Sequence, residues 1–333
     1  MLILEMLLFL VVILVAAEVF VNALEHLGEK LGISEGVTGS IFAAVGTALP
    51  ETIVPLLAIF GGTQNQQLNE EIGVGAILGA PLMLSTLSVF LMALSVWRRR
   101  GSQGHLMPER TGLSRDLNFF LAAFSLSCVA LFVPHDTAGV RAGIAFVMVL
   151  IYFFYIMLTL KASAKLVSDG HATEAEEPMF LAKIGLPTNW LTIYLQLGIG
   201  LVLLIVGAKG FIHGIEEASP LLGISALVLS LMVVPIATEL PEKINSILWI
   251  RRGKDTLAFG NITGAMVFQG TLLPAIGILL TPWAAQKEVL AGVVITLVAA
   301  AWLRYMLSRG QLRVWMLGFN GLLYVTYLTI VLI

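Results

Sequence analysis

Charge is scarce in this chain. Its 21 acidic and 19 basic residues make up 12% of 333 positions, against about 25% in an ordinary soluble domain, so a soluble globular protein is excluded. Cysteine is nearly absent. Cys128 stands alone in an apolar run, which leaves no disulfide framework and no cysteine-based zinc site; a lone cysteine in such a run is a small packed hydrophobe. No basic cluster is interleaved with aromatic residues, so nucleic acid is not a partner. Neither H-E-x-x-H nor G-x-S-x-G nor a nucleophile and base pair occurs in the apolar stretches, which argues against an enzyme and leaves no cofactor to be held. The amino terminus has no positive region before its apolar run, Glu5 being the only early charge. Residues 2–24 therefore read as a retained helix and not as a cleaved signal.

What is there is apolar length. With 58% hydrophobic residues and a mean hydropathy of +0.94, the chain reads as a polytopic membrane protein. Runs long enough to cross ~30 Å of hydrocarbon fall near 2–24, 36–62, 71–97, 116–134, 139–160, 191–212, 221–250, 255–281, 286–307 and 312–333. The longest polar connection, 161–190, separates five of these from five. Fifteen of the nineteen Lys and Arg lie in loops after odd-numbered spans, from Lys30 through Arg98, Arg99 and Arg100 to Arg313. Positive loops stay in the cytoplasm, so both termini are expected outside. An odd number of spans before the linker then inverts the second half. The fold predicted is all-α, with about ten transmembrane helices in two inverted five-helix repeats: residues 1–160, a cytoplasmic linker over 161–190, and residues 191–333. The short linker and lack of a regulatory domain point to a prokaryotic inner membrane.

The halves also match residue by residue. A shift of 191 aligns Gly32-Ile33-Ser34 with Gly223-Ile224-Ser225 and Pro50-Glu51 with Pro241-Glu242, and a shift of 185 aligns Gly75 with Gly260 and Gly79-Ala80 with Gly264-Ala265. Each half thus carries T-x-L-P-E, as Thr47-Ala48-Leu49-Pro50-Glu51 and Thr238-Glu239-Leu240-Pro241-Glu242. Proline removes the amide that would bond the carbonyl four residues earlier, which frees the oxygens of Gly46 and Ala237. Free backbone at membrane depth is tolerated where it lines a cavity or finds a ligand. Thr47 with Glu51, and Thr238 with Glu242, are spaced i to i+4 and share a helix face. Carboxylate, hydroxyl and bare carbonyl on one face make a site for a hard cation, and two copies approach the six to eight oxygens that calcium takes. An acidic side chain at that depth marks an ion or substrate pathway.

On these motifs the chain resembles the calcium:cation antiporter superfamily, the sodium/calcium exchangers and their prokaryotic relatives. In that family a G-T-S-x-P-E helix is followed in each half by a G-N-x-x-G-S-N helix. Here they read Gly46-Thr47-Ala48-Leu49-Pro50-Glu51 with Gly75-Ala76-Ile77-Leu78-Gly79-Ala80-Pro81, and Ala237-Thr238-Glu239-Leu240-Pro241-Glu242 with Gly260-Asn261-Ile262-Thr263-Gly264-Ala265-Met266. The resemblance implies an alternating-access antiporter that exchanges calcium for sodium; the alternatives are a proton-coupled exchanger and, given the missing ligands, a non-transporting relative that serves as a sensor or scaffold. The resemblance places the ions on Glu51, Glu242, Thr47 and Thr238, with Glu239 and Gln269 beside them, in a membrane and with no obligate protein partner. The serines that help bind sodium in the family fall on Ala48, Glu239, Ala80 and Ala265, and the polar residues one turn on fall on Leu84 and Gln269. Loss of those hydroxyls argues against multi-sodium coupling of the family's kind, and the neutral Gln269 resembles the proton-coupled branch.

Two charged pairs stand outside the family pattern. Glu239 and Lys243 are spaced i to i+4 in the favourable order; they either neutralise each other, or Lys243 is a tethered cation where sodium sits elsewhere. Glu18 and Lys209 are repeat mates on the helices that precede the Pro-Glu helices. The resemblance implies that those two helices pack together, so an interhelical ion pair is expected.

Overall fold

A computed structural model describes residues 2–31, 49–61, 63–167, 177–310 and 312–333. Helix α1 spans Leu2–Lys30 and α2 Leu49–Gly61. Helix α3, Gln66–Met83, passes through a wide π turn at Leu84–Ser88 into α4, Val89–Arg100, as one rod. Then come α5, Arg110–Ala130, α6, Ala138–Val167, and the short α7, Phe180–Lys183. Helix α8 spans Trp190–Leu222, α9 Ala226–Thr238, α10 Leu240–Arg251 and α11 Asp255–Leu280. The chain ends with α12, Lys287–Ser308, and a 3-10 turn at Val314–Leu317 leading into α13, Gly318–Leu332. Among the described residues eight of these rods are long and apolar enough to cross a membrane.

The exceptions are the two segments that carry Pro-Glu. The stretch expected as one span over 221–250 is two helices that meet at Glu239, whose backbone (φ −92°, ψ 3°) belongs to neither. Proline explains the break, because Pro241 has no amide to give the Ala237 carbonyl. Its counterpart, 36–62, is described only from residue 49. Pro81 acts similarly inside α3, where the widened turn that follows directs the Ser85 carbonyl out to the Asn320 amide at 2.8 Å. Such π turns concentrate at functional sites.

Burial sorts the helices by position. In α3 and α11, 78% and 67% of the span is buried, against 17% in α1 and α6, so the first two are central and the last two face lipid. Two apolar clusters divide the interior. One gathers Ile13, Ala16, Val54, Ala58, Phe211 and Ile212 from α1, α2 and α8; the other gathers the faces of α4, α5, α6, α11, α12 and α13. Helix α3 serves both, presenting Ile72 and Ala76 to the first and Ile77 and Leu78 to the second. The seam between the clusters is where the Pro-Glu segments lie.

Close approach at that seam needs glycine. A Cβ on Gly75 would lie 2.6 Å from the Leu227 carbonyl oxygen, and one on Gly79 would lie 2.7 Å from Pro235 Cγ and closer still to the Leu231 carbonyl oxygen. Pro235 cannot donate to that Leu231 oxygen, so the bare carbonyl is left facing the glycine. Small residues four apart are the membrane device for such contact.

Helices α1 and α8 pack antiparallel along their length, with Gly200 against Phe20, Gly207 against Ile13, Gly210 against Phe9 and Gly214 against Met6. That register corrects the expected ion pair. Glu18 is level with Val202, seven residues or ~10 Å along the axis from Lys209, and both side chains are exposed. The glycine contacts, and not the charges, set the register. Asn22, the repeat mate of His213, is buried, and its Oδ1 accepts from the Phe180 amide at 3.0 Å and from Gln196 Nε2 at 2.9 Å. It ties the start of α7 to α1 and α8.

Asp255 is more than an acid at a helix start. It takes a two-pronged bond from Arg100 at 2.7 and 2.8 Å and the Met107 amide at 2.8 Å, anchoring the end of α4 to the start of α11. Glu109 caps α5, accepting from the amides of Thr111 and Gly112 at 2.6 Å each. The Gly112 amide leads in holding this carboxyl below its usual range. A folded value below the unfolded ~4.3 gives stability above that pH, lost as pH falls through the folded value. Glu109→Ala is expected to cost about 1 kcal/mol at neutral pH, with a smaller difference from wild type in acid; melting in detergent reads it, and an equal difference at both pH values would contradict the cap.

Candidate functional site

Three carboxylates from two distant segments of the chain converge at the seam. Glu51 comes from α2, Glu239 from the break between α9 and α10, and Glu242 from the first turn of α10. One oxygen from each lies within 4.8 Å of the others. They are 4%, 0% and 7% exposed, so bulk water does not solvate them. Among the described residues no donor reaches either oxygen of Glu51, nor Glu239 Oε2, nor Glu242 Oε2. Buried anions in that condition are costly unless paired. A hard cation is the partner that such an all-oxygen, anionic donor set fits.

Glu239 and Glu242, three residues apart, are neighbours as on a helix surface, and the bonds from the Glu239 amide to the Pro235 carbonyl and from the Lys243 amide to the Glu239 carbonyl, each at 3.1 Å, keep that spacing through the turn at Glu239. The start of α10 also aims the positive end of its dipole at them. From α11, Gln269 donates Nε2 to Glu239 Oε1, while its own Oε1 has no donor. Asn261, on the same helix, donates to the Glu242 carbonyl at 3.1 Å and to Ser246 at 3.0 Å, fixing α10 against α11.

The remaining sequence-predicted residues divide. Thr238 is buried, but its hydroxyl donates to the Val234 carbonyl at 3.3 Å on its own helix, so it is not turned to the carboxylates. The Ala237 carbonyl faces a proline instead of an amide four residues on. Gly46 and Thr47 lie outside the described residues. Lys243 is buried beside the carboxylates yet forms no ion pair with them within 4.0 Å among the described residues; its Nζ donates to the Pro235 carbonyl oxygen and to Met83 Sδ, each at 2.8 Å. Direct neutralisation by Glu239 is therefore not what the fold builds. Pro235 and Met83 escaped the sequence reading because neither carries a charge; Pro235, eight residues before Lys243, was the only available hint.

Comparison with known proteins bears on this geometry. The sequence pattern described as "Sodium/calcium exchanger protein" matches residues 1–161 and again 192–333. The chain belongs to the sodium/calcium exchanger family. It is accordingly a cation transporter of the calcium:cation antiporter superfamily, embedded in a membrane. The inner membrane protein YrbG of Escherichia coli (strain K12) is 28% identical over 274 residues, covering 82% of this chain and 78% of that one. Among solved structures, the H+/Ca2+ exchanger CAX superposes with a TM-score of 0.75 at 19% identity, covering 98% of this chain and 82% of that one. The sodium-calcium exchanger NCX_Mj gives 0.60 at 20% identity, covering 99% of each. These likenesses show an exchanger-family fold.

Proposed function

We propose that this exchanger-family protein carries calcium across a prokaryotic inner membrane by alternating access, in exchange for sodium. The convergence of Glu51, Glu239 and Glu242, buried and short of donors, carries the reading. Three anionic oxygens within 4.8 Å of one another, with the Gln269 amide beside Glu239, make a compact site for a divalent ion, and desolvation forbids leaving it charged and unfilled. That penalty makes exchange obligatory, because the carrier crosses only when loaded. Gly46 and Thr47 of the first half, with Ala237 and Thr238 of the second, are assigned as supporting oxygens by the repeat. No enzyme activity, resident cofactor or obligate protein partner enters the cycle; the partners are inorganic cations and lipid.

The antiparallel packing of α1 on α8 supports two inverted repeats, 1–160 and 191–333, joined by a cytoplasmic linker over 161–190, with both termini outside. The positive residues of α4 and the loop after α10 support the same orientation.

Protons are the second candidate for coupling ion, and a specific observation favours them. Ala80 and Ala265 carry no side-chain oxygen, and the Thr238 hydroxyl is committed to Val234, which leaves sodium few neutral ligands, whereas a proton needs only a carboxylate. Purified protein in liposomes separates the two. Calcium uptake driven by an outward sodium gradient is expected in wild type, and uptake driven only by a proton gradient would move the assignment to protons. No calcium movement under either gradient would sink the transport reading.

A further inference from the structure

Lys243 has a buried position that a packing role does not explain. Its ammonium is carried to the seam, 7% exposed, and rests on a backbone carbonyl and a thioether at 2.8 Å each. It makes no ion pair with the carboxylates within 4.0 Å among the described residues, yet it directly follows Glu242 on α10 and is buried with it. The Pro235 carbonyl it occupies also accepts the Glu239 amide at 3.1 Å, so the ammonium is docked at the turn that delivers Glu239. One oxygen and one sulfur hold it there, a fixed positive charge at the edge of the carboxylate cluster.

Counting formal charge decides the consequence. Three carboxylates and one ammonium leave two negative charges; Gln269, the polar residue of α11 that touches the cluster, adds none. One divalent ion balances the site, and so do two monovalent ions. We propose that Lys243 is a tethered cation of the ion site and that the exchange it permits is electroneutral, one divalent ion against two monovalent ions. The inference rests on the transport reading above. Without the ammonium the site would hold three negative charges, and each cycle would move net charge.

The test is the effect of membrane potential on the steady-state calcium ratio across proteoliposomes, with potassium and valinomycin setting the potential and the sodium and proton gradients held fixed. Each net charge moved per cycle shifts that ratio tenfold for every ~59 mV. Wild type and Lys243→Arg are expected to hold one ratio at inside-negative, zero and inside-positive potential. Lys243→Met is expected to become potential-dependent. The double variant Glu239→Gln/Lys243→Met, again with two negative charges, is expected to lose that dependence. A wild-type ratio that follows the potential would overturn the proposal, as would a Lys243→Met protein that transports but ignores it. Wild-type vesicles that take up no calcium at any potential would overturn the transport reading itself, a result distinct from either.

Discussion

Glu51→Gln is expected to make the ion-free protein harder to melt while abolishing its response to calcium. Both Glu51 oxygens are buried without donors, and an uncompensated buried charge costs several kcal/mol even after relaxation. Glutamine has nearly the same shape, removes the charge, and brings an amide that can donate to Glu239 or Glu242. In wild type a calcium concentration 100-fold above the dissociation constant adds about 2.7 kcal/mol of stability; the variant should gain none of it. Flux should fall by roughly two orders of magnitude, the scale of a lost charge-assisted contact of ~3 kcal/mol. Melting curves with and without calcium give both effects in one experiment. A variant that melts below wild type without calcium, yet still shifts upward with it, would mean that Glu51 supports the fold and not the ion.

The second large effect is mechanical. Gly79→Ala adds a single methyl group where the Leu231 carbonyl and Pro235 ring already occupy the space. Backbone cannot yield as a flexible side chain can, so α3 and α9 must separate, at a cost of about 3 kcal/mol. Because Met83 on α3 and Pro235 on α9 both hold Lys243, transport should fall with stability. Gly143→Ala is the control: it lies exposed on α6 with nothing within 4 Å of the added methyl, so stability should be unchanged or slightly higher, as helix propensity favours alanine. Equal stability of the two variants would show that the seam is looser than its geometry implies.

These two sites differ in how far the sequence revealed them. The Pro-Glu pairs were legible because acidic residues are rare in apolar runs, and Glu51 and Glu242 do meet across the halves. Glu239 was legible as a neighbour, since it falls on a family ligand position. Its role was not, because a spacing of four from Lys243 suggested mutual neutralisation, whereas Lys243 turns to Pro235 and Met83 and leaves Glu239 with Glu51 and Glu242. Thr238 shows the converse: spacing put its hydroxyl on the face of Glu242, but a threonine within a helix can turn back to the carbonyl four residues earlier. The Glu18 and Lys209 pair failed for a related reason. Repeat alignment says which residues correspond, and says nothing of the level at which antiparallel helices meet; here Gly200, Gly207, Gly210 and Gly214 decide that. Helix ends were legible only in part. Arg110–Arg115, expected in a loop, belong to α5, whose start is marked by Glu109, an uncommon cap.

Radiolabelled calcium binding to the purified protein in detergent tests the carboxylate site most directly, since it needs no gradient and no knowledge of the coupling ion. Wild type is expected to hold one calcium ion per chain at saturation, displaced by excess sodium or by acid, and Glu51→Gln and Glu242→Gln are each expected to hold none. One ion per chain retained by both variants would contradict a cation site built from Glu51, Glu239 and Glu242.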